Sequence, residues 1–371
     1  MDTVDCVVVG AGVIGLAVAR ALSLRGLETV ILESERQIGT ATSSRNSEII
    51  HAGIYYPQGS LKARACVEGR QALYAYCDAR GIAHRRCGKM IVATHEGEIA
   101  ELESLMAAAI ANGVNDLIWL DSPQALKLEP ALNCVAALLS PSTGILDTHA
   151  YMLSLQGEAE AHGAVLALGA RFCGARRGPE GWAVSIEGEE SPVLAARHIV
   201  NAAGLGAQAA AAAIEGMPAP HVPRRHLAKG VYFAYAGPTP FQRLIYPAPE
   251  PGGLGTHLTL DMGGQARFGP DVEWVEAIDY DVDPSRVAKF AQAASRFWPG
   301  LDPARLAPAY AGVRPKISGP GEPNADFLIS GPAEHGLEGV VNLFGIESPG
   351  ITASMTLASI VADKLLTAEH R

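Results

Sequence analysis

Residues 5–33 read DCVVVGAGVIGLAVARALSLRGLETVILE, and this stretch decides the fold. Val7, Val8 and Val9 form a run that is apolar on both faces, as a buried parallel strand requires. The run stops at Gly10, Gly12 and Gly15, in G-x-G-x-x-G spacing. Ile14, Ala17, Val18, Ala21 and Leu22 then mark one face of a helix that Gly26 ends, and a second strand follows from Thr29 to Leu32. Gly10 permits a tight turn, Gly12 lets backbone approach a pyrophosphate, and Gly15 lets helix pack close to strand. The helix start, with Val13 and Ile14, turns unpaired N–H groups towards phosphate. Glu33, followed by Ser34, ends the second strand, where an acid accepts hydrogen bonds from a ribose diol and disfavours a 2′-phosphate. Strand, glycines, helix, strand and acid in that order predict dinucleotide binding.

A chain of 371 residues suggests two domains, or one with a large insertion. With 48% apolar residues, 40 glycines and a mean hydropathy of +0.14, it reads as a compact α/β enzyme. A net charge of −10 and a pI near 5.6, with no cluster of Lys and Arg, argue against a nucleic-acid surface. Residues 6–24 are apolar enough to imitate a secretory signal, but Asp2 and Asp5 precede them without a Lys or Arg, and cleavage would destroy the nucleotide site. No other run is long enough to span a bilayer. Cys6, Cys66, Cys77, Cys87, Cys134 and Cys173 show no C-x-x-C pair and no zinc spacing, which points to reduced thiols, a cytoplasmic protein and no metal site.

Further along, Ser60 is placed to cap a helix over Leu61–Arg80, Lys89–Thr94 reads as a strand, and Glu98–Asn112 and Ser122–Leu128 read as helices. A helix over Tyr151–His162, strands at Ala164–Ala167 and Gly181–Ile186, a strand ending on Asn201-Ala202-Ala203-Gly204 and a helix over Ala207–Ile214 return to the nucleotide pattern. Residues 216–309 carry many Pro and aromatic residues and short β runs at 231–235, 244–246, 256–261 and 265–268, the last two joined by the hairpin turn Gly263-Gly264. A strand at Val340–Phe344 and a last helix from about Ile351 close the chain. The expected fold is α/β: a Rossmann-like nucleotide domain (1–80, 144–215 and 310–371) with an inserted, mainly antiparallel β-sheet domain (81–143 and 216–309).

The loop Ser43-Ser44-Arg45-Asn46-Ser47, the run His51-Ala52-Gly53-Ile54-Tyr55-Tyr56 and Ser60-Leu61-Lys62-Ala63 are specific. With Asn201–Gly204, Gly255-Thr256-His257-Leu258-Thr259, Gly312-Val313-Arg314-Pro315-Lys316 and Gly345–Thr352, they resemble the FAD-dependent D-amino-acid-oxidase-like family across nearly the whole chain. HAGIYY, SLKA and GTHLT are most similar to its members that oxidise L-2-hydroxyglutarate. The resemblance implies FAD, with its adenine half on Gly10, Gly12, Val13, Ile14, Gly15, Glu33 and Ser34. It implies the pyrophosphate also near Thr42, Ser43, Ser44, Arg45, Asn46 and Ser47, and further contacts from Ala203, Gly204, Gly345, Ser348, Pro349, Gly350, Ile351 and Thr352. Some relatives attach the flavin through a C-terminal cysteine; all six here precede residue 174, so the FAD is expected to be non-covalent. A helix start at Ser348-Pro349-Gly350 aimed at the flavin would stabilise its reduced, negative form.

The implied reaction takes hydride from the α-carbon of an L-2-hydroxy acid to flavin while a base takes the hydroxyl proton. Arg314 is the best carboxylate clamp, because its planar fork matches a carboxylate. His51 and His257 compete as the base, with Thr259 and Asp261 on the same side of the strand as His257 by alternation. Tyr55, Tyr56 and Tyr246 could line the pocket. The second carboxylate of a glutarate calls for a second cation, from Lys62 or Lys316, although Lys62 could equally be a solvated helix lysine. Alternatives are an amine or amino-acid oxidase of glycine-oxidase type, a glycerol-3-phosphate dehydrogenase and a non-catalytic flavin redox protein. The electron acceptor stays open among oxygen, a quinone and an electron-transfer protein; a quinone would imply peripheral contact at the inner membrane.

Overall fold

Residues 2–249 and 255–368 are described by a computed structural model. Two units emerge: Met1–Ser44 with Thr148–Leu227 and Arg314–Arg371, and Arg45–Asp147 with Ala228–Val313.

In the first unit, Thr3–Val9 lies between Thr29–Glu33 and Leu194–Asn201, parallel to both. Val165–Leu168 extends the sheet beyond Thr29–Glu33, and Val340–Phe344 joins the C-terminal half of Leu194–Asn201, again in parallel. The N-terminal half of that strand pairs instead with the hairpin arm Gly181–Ile186, antiparallel. Helices Val13–Ser23, Thr148–Ala161 and Gly350–Ala368 pack together. Arg20 binds Glu158 through both guanidinium arms at 2.6 and 3.3 Å, and buried Tyr151 meets Ser354 at 2.8 Å. Val7, Val9, Trp182, Ile199 and Val340 form the apolar core with Ala210 and Ile214. Burying each large side chain there contributes about 1.5–3 kcal/mol.

The topology places the carboxyl ends of the parallel strands side by side, so Gly10, Glu33, Ala202–Gly204 and Gly345 all lie at strand ends where open α/β sheets take ligands. Register pairs Asn201 with Asn342, and the Asn201 amide donates to Asn342 Oδ1 (2.9 Å) and to the Ala207 carbonyl (2.7 Å).

The second unit is built on the order Glu273–Val275, His226–Tyr235, Ala266–Phe268, Leu258–Leu260, Leu244–Pro247, Lys89–Ala93, Ala136–Ser140 and Ile118–Asp121, with Leu306–Lys316 paired to His226–Tyr235. Neighbours run antiparallel where Leu258–Leu260 meets its two partners, and parallel where Leu244–Pro247 meets Lys89–Ala93. A small sheet has the order Ile49–Ile50, Gly144–Leu146 and His84–Arg85, and its two outer strands flank helix Leu61–Arg80 in sequence. Phe233, Phe268, Phe290, Phe297 and Trp298 fill the core.

Ser60 caps Leu61–Arg80 by accepting from Ala63 N, as its position predicts, and Gly81 ends that helix at φ +64°. The expected boundary at residue 80 differs from the observed one, which groups 45–80 with the inserted sheet. The reason is local: Tyr74 Oη donates to the Ser142 carbonyl at 3.1 Å, Arg70 to Ser142 Oγ at 2.6 Å, and Ile49–Ile50 pairs with Gly144–Ile145. The strand expected over 256–261 is confined to Leu258–Leu260, since Asp261 accepts from Gly264 N through its carbonyl and opens the Gly263-Gly264 turn. No described helix is long and apolar enough to cross a membrane.

Candidate functional site

The glycine loop of the first unit is built for an anion. Gly10 has φ +101°, and a Cβ there would stand 2.7 Å from the Ala202 carbonyl oxygen. A Cβ on Gly15 would stand 1.9 Å from Gly10 O, so helix and strand touch through backbone. Helix Val13–Ser23 has Gly12 at its N-cap and no capping side chain, while Val13 N donates to Ser43 Oγ at 3.0 Å. First-turn N–H groups of such a helix remain for an external acceptor. Glu33 is held in place by Ala11 N (2.7 Å) on Oε2 and by Glu35 N (2.9 Å) and Ser34 Oγ (3.2 Å) on Oε1. Thr42–Ser44 forms a 3-10 turn, and Ser44 donates to the Gly39 carbonyl. This cradle fits a dinucleotide: glycine at 10 and 15 lets strand, helix and the Ala202 backbone approach to a spacing that a Cβ would prevent, and an acid stands fixed beside it.

Gly345 follows strand Val340–Phe344 at φ +68°, and helix Gly350–Ala368 starts with Ile351 and Thr352 in its first turn. Ser348 is exposed, whereas Pro349, Gly350 and Thr352 are buried. Arg314 is half-buried on Leu306–Lys316. Lys316, expected as a second cation for substrate, is instead occupied: its ammonium meets Glu347 Oε1 at 2.8 Å and Asn324 Oδ1 at 3.1 Å.

Arg45, Asn46 and Ser47 fall in the second unit. The Arg45 guanidinium lies 4.0 Å over the Tyr280 ring, Tyr310 Oη donates to the Asn46 carbonyl at 2.5 Å, and Ser47 Oγ and Tyr232 Oη are 2.8 Å apart. Lys62 is 6% exposed and so is no solvated helix lysine. Asp261 pairs with Arg267 (2.9 Å) and Thr259 Oγ1 donates to the Arg267 carbonyl (3.4 Å), which gives both structural work beside His257.

Four segments of this unit bring His51, Tyr55, Lys89, Tyr246 and His257 together. Ile49–Ile50 delivers His51, and Gly53, at φ +103°, turns the chain against helix Leu61–Arg80. Cys66 Sγ donates to the His51 carbonyl (3.5 Å) and Arg70 to the Ala52 carbonyl (3.3 Å), fixing the loop that carries Tyr55. Leu244–Pro247 lies parallel to Lys89–Ala93 with Leu244 opposite Lys89, so Tyr246 follows on the adjacent strand. The Lys89 ammonium is 4.5 Å from the Tyr55 ring centroid and 4.7 Å from that of Tyr246. The His257 ring stacks on Tyr246.

Burial sets the protonation states. His51 is lowered from 6.5 to about 3 by desolvation and then by the Lys89 charge. Desolvation lowers Lys89 from 10.5 to about 7. Burial pushes the Cys66 thiol up to about 12 and raises both the Tyr55 and the Tyr246 phenols. The Tyr55 hydroxyl is buried with no hydrogen-bond partner among the described residues. The arrangement offers a neutral imidazole able to accept a proton, an adjacent cation and a phenol ready to donate. Sequence reasoning missed Lys89, which read as the first residue of a strand. The available signal was a charged residue heading the otherwise apolar run Met90–Ala93. Among the described residues no His, Cys, Asp and Glu cluster could hold a metal.

A profile of FAD-dependent oxidoreductases matches residues 5–364. The chain is 45% identical to the mitochondrial L-2-hydroxyglutarate dehydrogenase of Arabidopsis thaliana, over 98% of this chain and 84% of that one. Its fold is similar to a dithionite-reduced, FAD-bound L-alpha-glycerophosphate oxidase from Mycoplasma pneumoniae (TM-score 0.89, 24% identity, 99% and 95% of the two chains). It is also similar to glycine oxidase from Geobacillus kaustophilus (TM-score 0.83, 21% identity, 99% and 95%).

Proposed function

Since the chain belongs to the FAD-dependent oxidoreductase family, we propose that it oxidises L-2-hydroxyglutarate to 2-oxoglutarate. The observation that carries this reading is the 45% identity to a dehydrogenase of that substrate along 98% of the chain. The two solved structures, each below 25% identity, support the fold alone.

FAD, when bound, supplies the acceptor for the hydride leaving the α-carbon. Gly10–Gly15, Glu33 and Ser43 would hold its adenine half, with Ala203, Gly204, Gly345 and Ser348–Thr352 as the further contacts. The six cysteines are free thiols and none follows residue 173, in keeping with a non-covalent cofactor. His51, whose imidazole is neutral at working pH, would take the hydroxyl proton, and Arg314 would hold a substrate carboxylate. His257, stacked on Tyr246, keeps that wall of the site fixed. The cysteine pattern favours a cytoplasmic protein, although the Arabidopsis relative is named as mitochondrial. Oxygen, a quinone and an electron-transfer protein remain the candidate electron acceptors.

The test is anaerobic titration of the holoenzyme with L- and D-2-hydroxyglutarate, lactate, glycine and glycerol-3-phosphate, followed in the flavin absorbance band. Bleaching by L-2-hydroxyglutarate at the lowest concentration is expected. Preferential bleaching by glycine or glycerol-3-phosphate would replace the proposed substrate.

A further inference from the structure

Two of the buried lysines meet an acid. Lys316 pairs with Glu347 and Lys229 with Asp279. Lys89 does not. It is 1% exposed, and among the described residues its ammonium contacts only the faces of Tyr55 and Tyr246. Among the described residues its titratable neighbours are His51, Cys66, Tyr55 and Tyr246, and each is neutral at neutral pH. An ammonium removed from water with no counter-ion among the described residues is costly, which is what lowers Lys89 to about 7, and two aromatic faces recover only about 2 kcal/mol apiece when desolvated. A hydrophobic residue would suit the strand better, because Met90–Ala93 is buried throughout. A ligand anion accounts for a charge kept at this place.

We propose that Lys89 receives the second carboxylate of the substrate, and that this contact selects a dicarboxylic over a monocarboxylic 2-hydroxy acid. The inference rests on the reading of the protein as a 2-hydroxy-acid oxidoreductase. Lys89 thereby fills the role that the sequence offered to Lys62 or Lys316. The buried Tyr55 hydroxyl, without a partner among the described residues, is a neutral donor available to the same oxygens.

The experiment crosses enzyme truncation with substrate truncation. Holoenzymes of wild type, Lys89→Gln, Lys89→Arg and Lys89→Met are reduced anaerobically by L-2-hydroxyglutarate and by L-2-hydroxyvalerate, which lacks the second carboxylate. Lys89→Gln changes the charge beside His51 for both substrates, so the readout is the ratio: kcat/KM for the dicarboxylate is expected to fall by about 100-fold or more relative to that for the monocarboxylate. Lys89→Arg should recover part of the difference. Equal losses on both substrates would overturn the assignment and leave Lys89 a general support of the site. Flavin absorbance verifies loading, and Lys89→Met, apolar and similar in length, substitutes if the Gln variant does not fold. Should wild type fail to oxidise L-2-hydroxyglutarate, the substrate reading falls, and calorimetry with glutarate still decides the role of Lys89. Weaker binding by the variants supports it; equal affinity, or no binding to wild type, overturns it.

Discussion

The imidazole of His257 lies flat on the phenol ring of Tyr246, with centroids 3.5 Å apart and planes 9° from parallel. A stack this close leaves the imidazole little freedom to turn. Tyr246→Phe keeps the face and should retain activity within about threefold, whereas Tyr246→Ala frees the ring and should lower kcat by about tenfold or more. Stopped-flow flavin reduction separates the two outcomes.

His51→Asn removes the proposed proton acceptor. Flavin reduction should slow by about 100- to 10,000-fold with FAD still bound, and His257→Asn should be milder. The reverse ranking, measured under the same anaerobic conditions, would exchange the roles of the two residues.

His51 also makes stability depend on pH. Its folded value is held near 3, against 6.5 for an ordinary imidazole. As pH falls, the unfolded chain takes up a proton near 6.5 that the folded chain refuses until near 3. Its contribution is therefore complete above 6.5 and drains away between 6.5 and 3. Urea unfolding at about pH 7.5 and about pH 4.5 should show a smaller loss for His51→Asn than for wild type.

Arg314→Ala should raise KM for L-2-hydroxyglutarate by about 100-fold or more while leaving the flavin spectrum unchanged. Unchanged turnover at low substrate would remove Arg314 from the site.

Gly15→Ala places a methyl 1.9 Å from Gly10 O, backbone that cannot yield without separating helix from strand. It should cost about 3 kcal/mol or more, read as a fall in Tm and colourless protein. Gly12→Val crowds Ser43 Oγ, 3.0 Å from a Cβ at that position, and should abolish FAD binding with a smaller effect on the apoprotein.

The nucleotide half of the fold was legible because its determinants are local. Glycine spacing, helical period and the acid at Glu33 sit within one βαβ unit, and the elements over 13–23, 29–33, 61–80, 122–128, 181–186 and 340–344 emerge close to where periodicity places them. The inserted sheet was less so. Lys89–Ala93 pairs with Leu244–Pro247 across more than 150 residues, and a pairing at that distance leaves no trace in local pattern. Residues 45–80 read as nucleotide domain because they follow the glycine loop in sequence, yet Ser142 and Gly144 anchor them elsewhere. The site divides in the same way. His51, Tyr55 and His257 stood out through motif resemblance and Tyr246 as a tyrosine that could line the pocket, whereas Lys89 gained meaning only when two tyrosines from distant segments closed over it. The occupation of Lys316 by Glu347 was likewise invisible until the pair was seen at 2.8 Å.

An ammonium held near pH 7 is mostly uncharged in mildly alkaline solution. On the proposed assignment, a dianion settling on it raises the basicity of the amine, so docking in mildly alkaline solution draws a hydrogen ion from the buffer. The heat of association should then follow the ionisation enthalpy of whichever buffer is present, and affinity should weaken roughly tenfold for every pH unit above neutrality. Occupancy and proton inventory are thus tied together at a single amine, before any oxidation begins.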